Sequence, residues 1–102
     1  MSWEEIAEQL RGEAQRMHEA REQGLAKCRT LTQTSARCIR HIHRHQFAEA
    51  EKLLAETRSV SQVARETLRP HGSLFYAGYL HDAEKEMVEA HAVFAIVHRN
   101  PI

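Results

Sequence analysis

Two prolines and four glycines among 102 residues leave few points at which the chain must turn or break, and this scarcity favours helices. No stretch alternates polar and apolar residues with period two, so no strand is predicted. No run of about 18 apolar residues occurs, which excludes a membrane-spanning helix. A secretory signal is missing as well, because Glu4, Glu5, Glu8 and Arg11 interrupt the first apolar-rich segment. The two cysteines, Cys28 and Cys38, lie ten residues apart in one predicted helix. That spacing is about 15 Å and too far to bridge, so they read as free, half-buried thiols of a reducing, cytoplasmic compartment. An excess of either charge is also absent. Fourteen Lys and Arg balance fourteen Asp and Glu, and mild acidification would make the eight histidines, and hence the chain, cationic.

What is present is helical patterning. Charged residues at 27% and apolar ones at 42% fit one small folded domain over residues 1–102, without low-complexity segments or repeats. Ser2 and Glu5 form a capping-box pair ahead of a stripe at Trp3, Ile6, Leu10, Ala14 and Met17. The stripe resumes at Cys28, Leu31, Ser35, Cys38 and Ile42. Gly24 lacks accompanying turn residues, so one helix from about Ser2 to about His45 is predicted with a soft point there. A helix this long stands clear of any three-helix core and calls for partners from another chain. A second helix follows from Phe47 through Ala50, Leu53, Leu54, Val60, Val63, Ala64 and Leu68. Its middle, Thr57-Arg58-Ser59-Val60-Ser61, is weak helix where a kink is expected, and Pro70-His71-Gly72 stops it. Ser73 caps a third helix running to about His98, with Asn100-Pro101 beyond it. Its apolar stripe is Leu80, Ala83, Met87, Ala90, Phe94 and Val97. The fold class is therefore all-α: a long N-terminal helix plus two shorter ones. Helices so unequal do not close a bundle alone, so the packing is completed by other subunits or by further chain.

Two charged patterns carry candidate chemistry. On the third helix Asp82, Glu86 and Glu89 share one face, and Lys85 lies off it. Like charges so placed destabilise a bare helix by a few tenths of a kcal/mol, and a divalent cation or a basic helix would offset this. Oxygen-only ligands suit Mg²⁺ or Mn²⁺, which nucleases use to activate water. Ordinary helices also carry such spacings. On the first helix Arg37, Arg40 and Arg44 fall on one face beside His41, in a span from Gln23 to Glu49 that holds no acid. Arg forks match phosphate oxygens, which makes this a candidate nucleic-acid surface. The plainer alternative pairs it with Glu49, Glu51 or Glu56 of the second helix. His41 and His45 have the i, i+4 spacing of a two-histidine metal site but no third soft ligand at a matching distance. Tyr76 and Tyr79 suit either base stacking or packing.

Two segments together resemble the translin family. Ser35-Ala36-Arg37-Cys38-Ile39-Arg40-His41-Ile42-His43-Arg44, followed by Phe47-Ala48-Glu49-Ala50, is similar to a segment of its prokaryotic members. Phe75-Tyr76-Ala77-Gly78-Tyr79, leading into Asp82-Ala83-Glu84-Lys85-Glu86-Met87-Val88-Glu89-Ala90, is similar to a second segment. Its core, Glu86-Met87-Val88-Glu89-Ala90, resembles the catalytic motif of the translin-associated factor X branch, with Met87 in place of the usual aromatic. The resemblance spans roughly residues 25–98. It implies an all-α fold, hollow barrel-like homo-oligomers (commonly octamers), and binding of single-stranded RNA or DNA. It also implies, for the factor X branch, Mg²⁺-dependent endoribonuclease activity. Glu86 and Glu89 match the branch's two metal-holding glutamates, and Asp82 is a stand-in for a third carboxylate that the family places in a later helix. Arg37, Arg40, His43 and Arg44 match basic positions assigned to nucleic-acid contact. Since the family fold continues for several helices, residues 1–102 correspond to its N-terminal portion or to a shortened relative. A non-catalytic module, in which the acidic face pairs with the basic face of the same or another subunit, is the alternative.

Overall fold

Ser2 and Glu5 cap the first helix reciprocally. The Glu5 N–H donates to Ser2 Oγ at 3.1 Å, and the Ser2 N–H donates to Glu5 Oε2 at 3.4 Å. The computed structural model describes residues 1–71 and 74–99, and their side chains except at 71 and 74–77. Three helices result, with no strand among the described residues: α1 (Trp3–His43), α2 (Phe47–Leu68) and α3 (Leu74–Arg99), with a 3₁₀ turn at Arg69–His71. The all-α expectation holds. Gly72, Ser73, Asn100 and Pro101, and the side chains of Phe75 and Tyr76, lie outside the described residues.

Helix α1 is the spine, and α2 and α3 pack on its C-terminal half. Its buried residues are Gly24, Cys28, Leu31, Thr34, Ser35, Cys38 and Ile42, spaced in the three- and four-residue steps of one helical face. The N-terminal half projects past this core, with Trp3, Leu10 and Met17 exposed, and the molecule measures 71 × 21 × 14 Å. The cysteines are more deeply buried than half: Cys28 is 5% and Cys38 0% exposed, and both are free.

Gly24 is not a soft point. The helix continues unbroken through it, and a Cβ there would lie 2.2 Å from Cδ2 of Leu68. The missing side chain is the seat for the end of α2.

No break interrupts α2 at its weak residues, and their bonding explains why. Thr57 and Ser61 are buried, and their hydroxyls donate to the Leu54 carbonyl at 2.6 Å and to Glu84 Oε2 at 2.8 Å. Hydroxyls that bond an i−3 carbonyl or a neighbouring helix no longer compete with the helical backbone. Together with Thr34 and Ser35 of α1 they form a polar waist. On one side lies the cluster of Cys38, Ile42, Ala50, Leu53, Leu54 and Ala90. On the other lies that of Cys28, Leu31, Leu68 and Ala83.

The end of α1 departs from expectation by two residues. His45 takes a left-handed backbone, φ 58°, instead of continuing the helix. The His45 N–H then reaches the Ile42 carbonyl and the Gln46 N–H the His41 carbonyl, both at 2.9 Å, which is a Schellman closure with histidine in glycine's usual place. His41 Nδ1 meets Gln46 Oε1 at 2.6 Å, tying the same turn from the side-chain level.

Candidate functional site

Both charged patterns sit on elements fixed by the core. In α3, Ala83 and Ala90 are buried and Leu80, Met87 and Phe94 pack around them, which sets the rotation of the helix. Asp82 and Glu86, one turn apart, then fall on the wall of a cleft of about 570 Å³ between α1 and α3. Tyr79 and Ala83 line it from α3, and Leu25, Cys28, Arg29, Thr32 and Gln33 from α1. Arg29 forms no ion pair with either carboxylate; among the described residues the ion pairs are Arg11–Glu8, Lys52–Glu49 and Arg65–Glu84. Burial pushes the Cys28 thiol up; the Glu84 carboxylate adds to this and Arg29 opposes it. That thiol is a neutral wall of the cleft and not a nucleophile.

Glu89 lies one turn further along and is exposed, outside the cleft lining. No group of three or more His, Cys, Asp or Glu side chains is placed to hold a metal among the described residues. Mg²⁺ commonly takes only one or two protein carboxylates and fills its other positions with water and phosphate oxygens. Asp82 and Glu86 fit that partial set by donor type and spacing. Asp82, Glu86 and Glu89 do not form a closed cage.

On α1, Arg37, Arg40, His43 and Arg44 are all exposed. Arg37, Arg40 and Arg44 lie opposite the buried Leu31, Cys38 and Ile42 by the 100° turn per residue, so they form a row on the side of α1 away from α2 and α3. None of them meets a carboxylate among the described residues. Glu49 pairs instead with Lys52 at 3.5 Å, so the pairing considered between this row and α2 is not made. Arg40, His41 and His43 in the last turn also complement the negative end of the helix dipole, a structural role that needs no ligand.

The two-histidine site does not form. His45 has left the helix, and its ring stands edge-on to Phe47 at 5.4 Å, in an aromatic group with Phe94 and His98.

The strongest polar contact in the fold went unread in the sequence. Arg65 grips Glu84 through two bonds of 2.8 Å, Nε to Oε2 and Nη2 to Oε1, while Ser61 donates to the same Oε2. His91, seven residues after Glu84, faces Thr57 Oγ1 at 3.5 Å. A signal was available: Glu84 and His91 flank the α3 apolar stripe at heptad spacing, and Thr57 and Ser61 are one turn apart on α2. Burial, with Arg58 nearby, holds the His91 pKa below its usual value. No protein-family model matches the chain, and no curated protein or solved structure is significantly similar to it.

Proposed function

We propose that this chain is a translin-like, single-stranded nucleic-acid-binding protein of the cytoplasm. The observation that carries this reading is the row Arg37, Arg40 and Arg44, exposed on the outer face of α1 with no carboxylate partner among the described residues. Arg65 bonds Glu84, whereas Arg16, Arg29 and Arg58 make no ion pair among the described residues, so what marks the row is three arginines aligned on one face. A row kept unpaired along more than one helical turn suits a run of phosphates, each taken by a planar guanidinium fork. His43 and Arg44 extend the row to the end of the helix. The two segments similar to the translin family add support, because they contain this row and the cleft carboxylates.

The same reading gives the cleft a ribonuclease role. Asp82 and Glu86 would hold Mg²⁺ or Mn²⁺ there, with Glu89 entering only if its side chain swings toward Glu86. The metal supplies a polarised water and neutralises charge on the scissile phosphate. The chain's own contribution is to hold the carboxylates rigidly, by packing Ala83 and Ala90. A second reading, binding without cleavage, is favoured by the lack of a third metal-holding side chain among the described residues.

The test is fluorescence anisotropy of a single-stranded RNA oligomer across a salt series, comparing the protein with Arg37→Ala/Arg40→Ala/Arg44→Ala. Each lost phosphate contact removes about 0.7 from the slope of log affinity against log salt, so the triple variant should lose about 2. An unchanged slope and affinity would refute the assignment of the row. Glu86→Ala/Glu89→Ala separates the two readings. Loss of Mg²⁺-dependent cleavage with intact binding supports the nuclease, and cleavage that survives removes these residues from it.

A further inference from the structure

The projecting half of α1 repeats the pattern of the half that is packed. Counting back in sevens from the buried Leu31 and Gly24 reaches Met17, Leu10 and Trp3. These three are 51%, 59% and 79% exposed, although the same face twenty residues later carries α2 and α3. The apolar seam therefore runs on past the end of its intramolecular partner, at the Leu68–Gly24 contact. An unsupported helical segment of this length is marginal in water, and an apolar stripe along it needs a cover.

Its charges say what the cover is. The first two turns carry Glu4, Glu5 and Glu8 with no base before Arg11. A second copy laid antiparallel sets Leu10 on Leu10 and the Trp3 indole against the Met17 thioether, a favourable sulfur–aromatic match, and keeps the two acidic first turns at opposite ends of the pair. A parallel copy would set the acidic turns against each other. We infer that residues 3–21 are a self-association surface on which two copies of this chain pair as an antiparallel, two-fold symmetric helical dimer. Burying Trp3, Ile6, Leu10 and Met17 from both copies removes on the order of 1,000 Å², the size at which a specific interface becomes credible. Pairing here leaves the arginine row and the cleft untouched, so it stands or falls independently of nucleic-acid binding.

Sedimentation velocity over a concentration series tests it. The protein should move as a dimer, or as a multiple of one, and Leu10→Glu should raise the dissociation constant about a thousand-fold, because Leu10 counts twice at a two-fold axis. Residue 10 lies outside the packed core, so the thermal transition of Leu10→Glu should match the parent at a concentration where both are monomeric. Under mild oxidation Trp3→Cys and Met17→Cys, mixed in equal amounts, should bridge to each other and not to themselves. A protein that stays monomeric throughout, or an assembly unaffected by Leu10→Glu, overturns the proposal. A mixture that bridges only like to like overturns the antiparallel arrangement.

Discussion

Replacing Gly24 by alanine tests whether α1 is built around the end of α2. In an exposed helix interior the change gains about 1 kcal/mol from propensity alone. Here the new Cβ would meet Leu68 Cδ2 at 2.2 Å, Cγ at 2.6 Å and Cδ1 at 3.2 Å. Ordinary carbon contacts are about 3.5–4.0 Å, so Leu68 must retreat by more than an ångström. It is 4% exposed and packed with Cys28, Leu31 and Ala83, which leaves it no solvent to turn into. Overpacking of this kind costs about 1–3 kcal/mol, and the net expectation is a loss of about 1 kcal/mol, or a melting point lower by about 4–8 °C. Gly78→Ala is the control, since nothing lies within 4 Å of its added methyl, and it should gain up to about 1 kcal/mol. The sharper readout is the pair. Leu68→Ala alone should cost about 2–5 kcal/mol, but in that background Gly24→Ala fills space and should stabilise. Urea denaturation of the four proteins should therefore give an interaction energy of about 2 kcal/mol. Additive effects within error, or a Gly24→Ala protein more stable than its parent, would refute the close seat.

The polar waist supplies two more expectations. Arg65→Ala should cost about 1–2 kcal/mol in chemical denaturation. Glu84 keeps 16% side-chain exposure and its Ser61 bond, and Arg65 at 54% is partly screened; Glu84→Gln added to Arg65→Ala should cost little more, and a full second penalty would show that the two do not act as a pair. Burial, reinforced by Arg58, lowers the folded pKa of His91, so the unfolded chain takes up the proton first as pH falls. That contribution to stability is complete above the ordinary histidine value of 6.5 and is lost on acidification below it, and His91→Gln should flatten this part of the stability–pH curve.

How much of this was readable in advance follows from which residues depend on a single helix. Every α3 stripe position, from Leu80 to Val97, packs inward as its spacing predicted, because period alone decides the face of a helix whose neighbours are apolar. Period is silent on whether a face finds a partner. It treats Trp3, Leu10 and Met17 as it does Leu31 and Cys38, yet the first three are exposed and the last two are fully buried. The difference lies in the length of α2, which ends at Leu68 opposite Gly24 and covers nothing beyond. Gly24 follows the same logic: a glycine lacking turn residues looks like local weakness until the side chain that needs its space, Leu68, is known. Thr57 and Ser61 looked like weak helix and are instead bonded core residues, again because their partners lie on the backbone turn before or on another helix. In α1, His45 as a helix-ending left-handed residue was masked by the basic run that precedes it.

The same distinction orders the candidate site. Asp82 and Glu86 share a face by period, and what makes them a site is that α3 lies beside Leu25–Gln33 of α1 and opens a cleft there. Glu89 has the same spacing and no such neighbour. Glu84, which spacing set aside, is the acid that the fold neutralises, with Arg65 and Ser61 both bonded to it. Acids and bases in this chain thus divide into two sets by whether the fold supplies their counter-charge. Among the described residues the second set is the larger; within it Arg37, Arg40 and Arg44 cluster on the outer face of α1 and Asp82 and Glu86 in the cleft, two groups of single sign that no ion pair within the chain neutralises. Phosphate on one side and a cation on the other are the ligand charges that would complement these two groups, and the proposed nucleic-acid binding rests on the first of them.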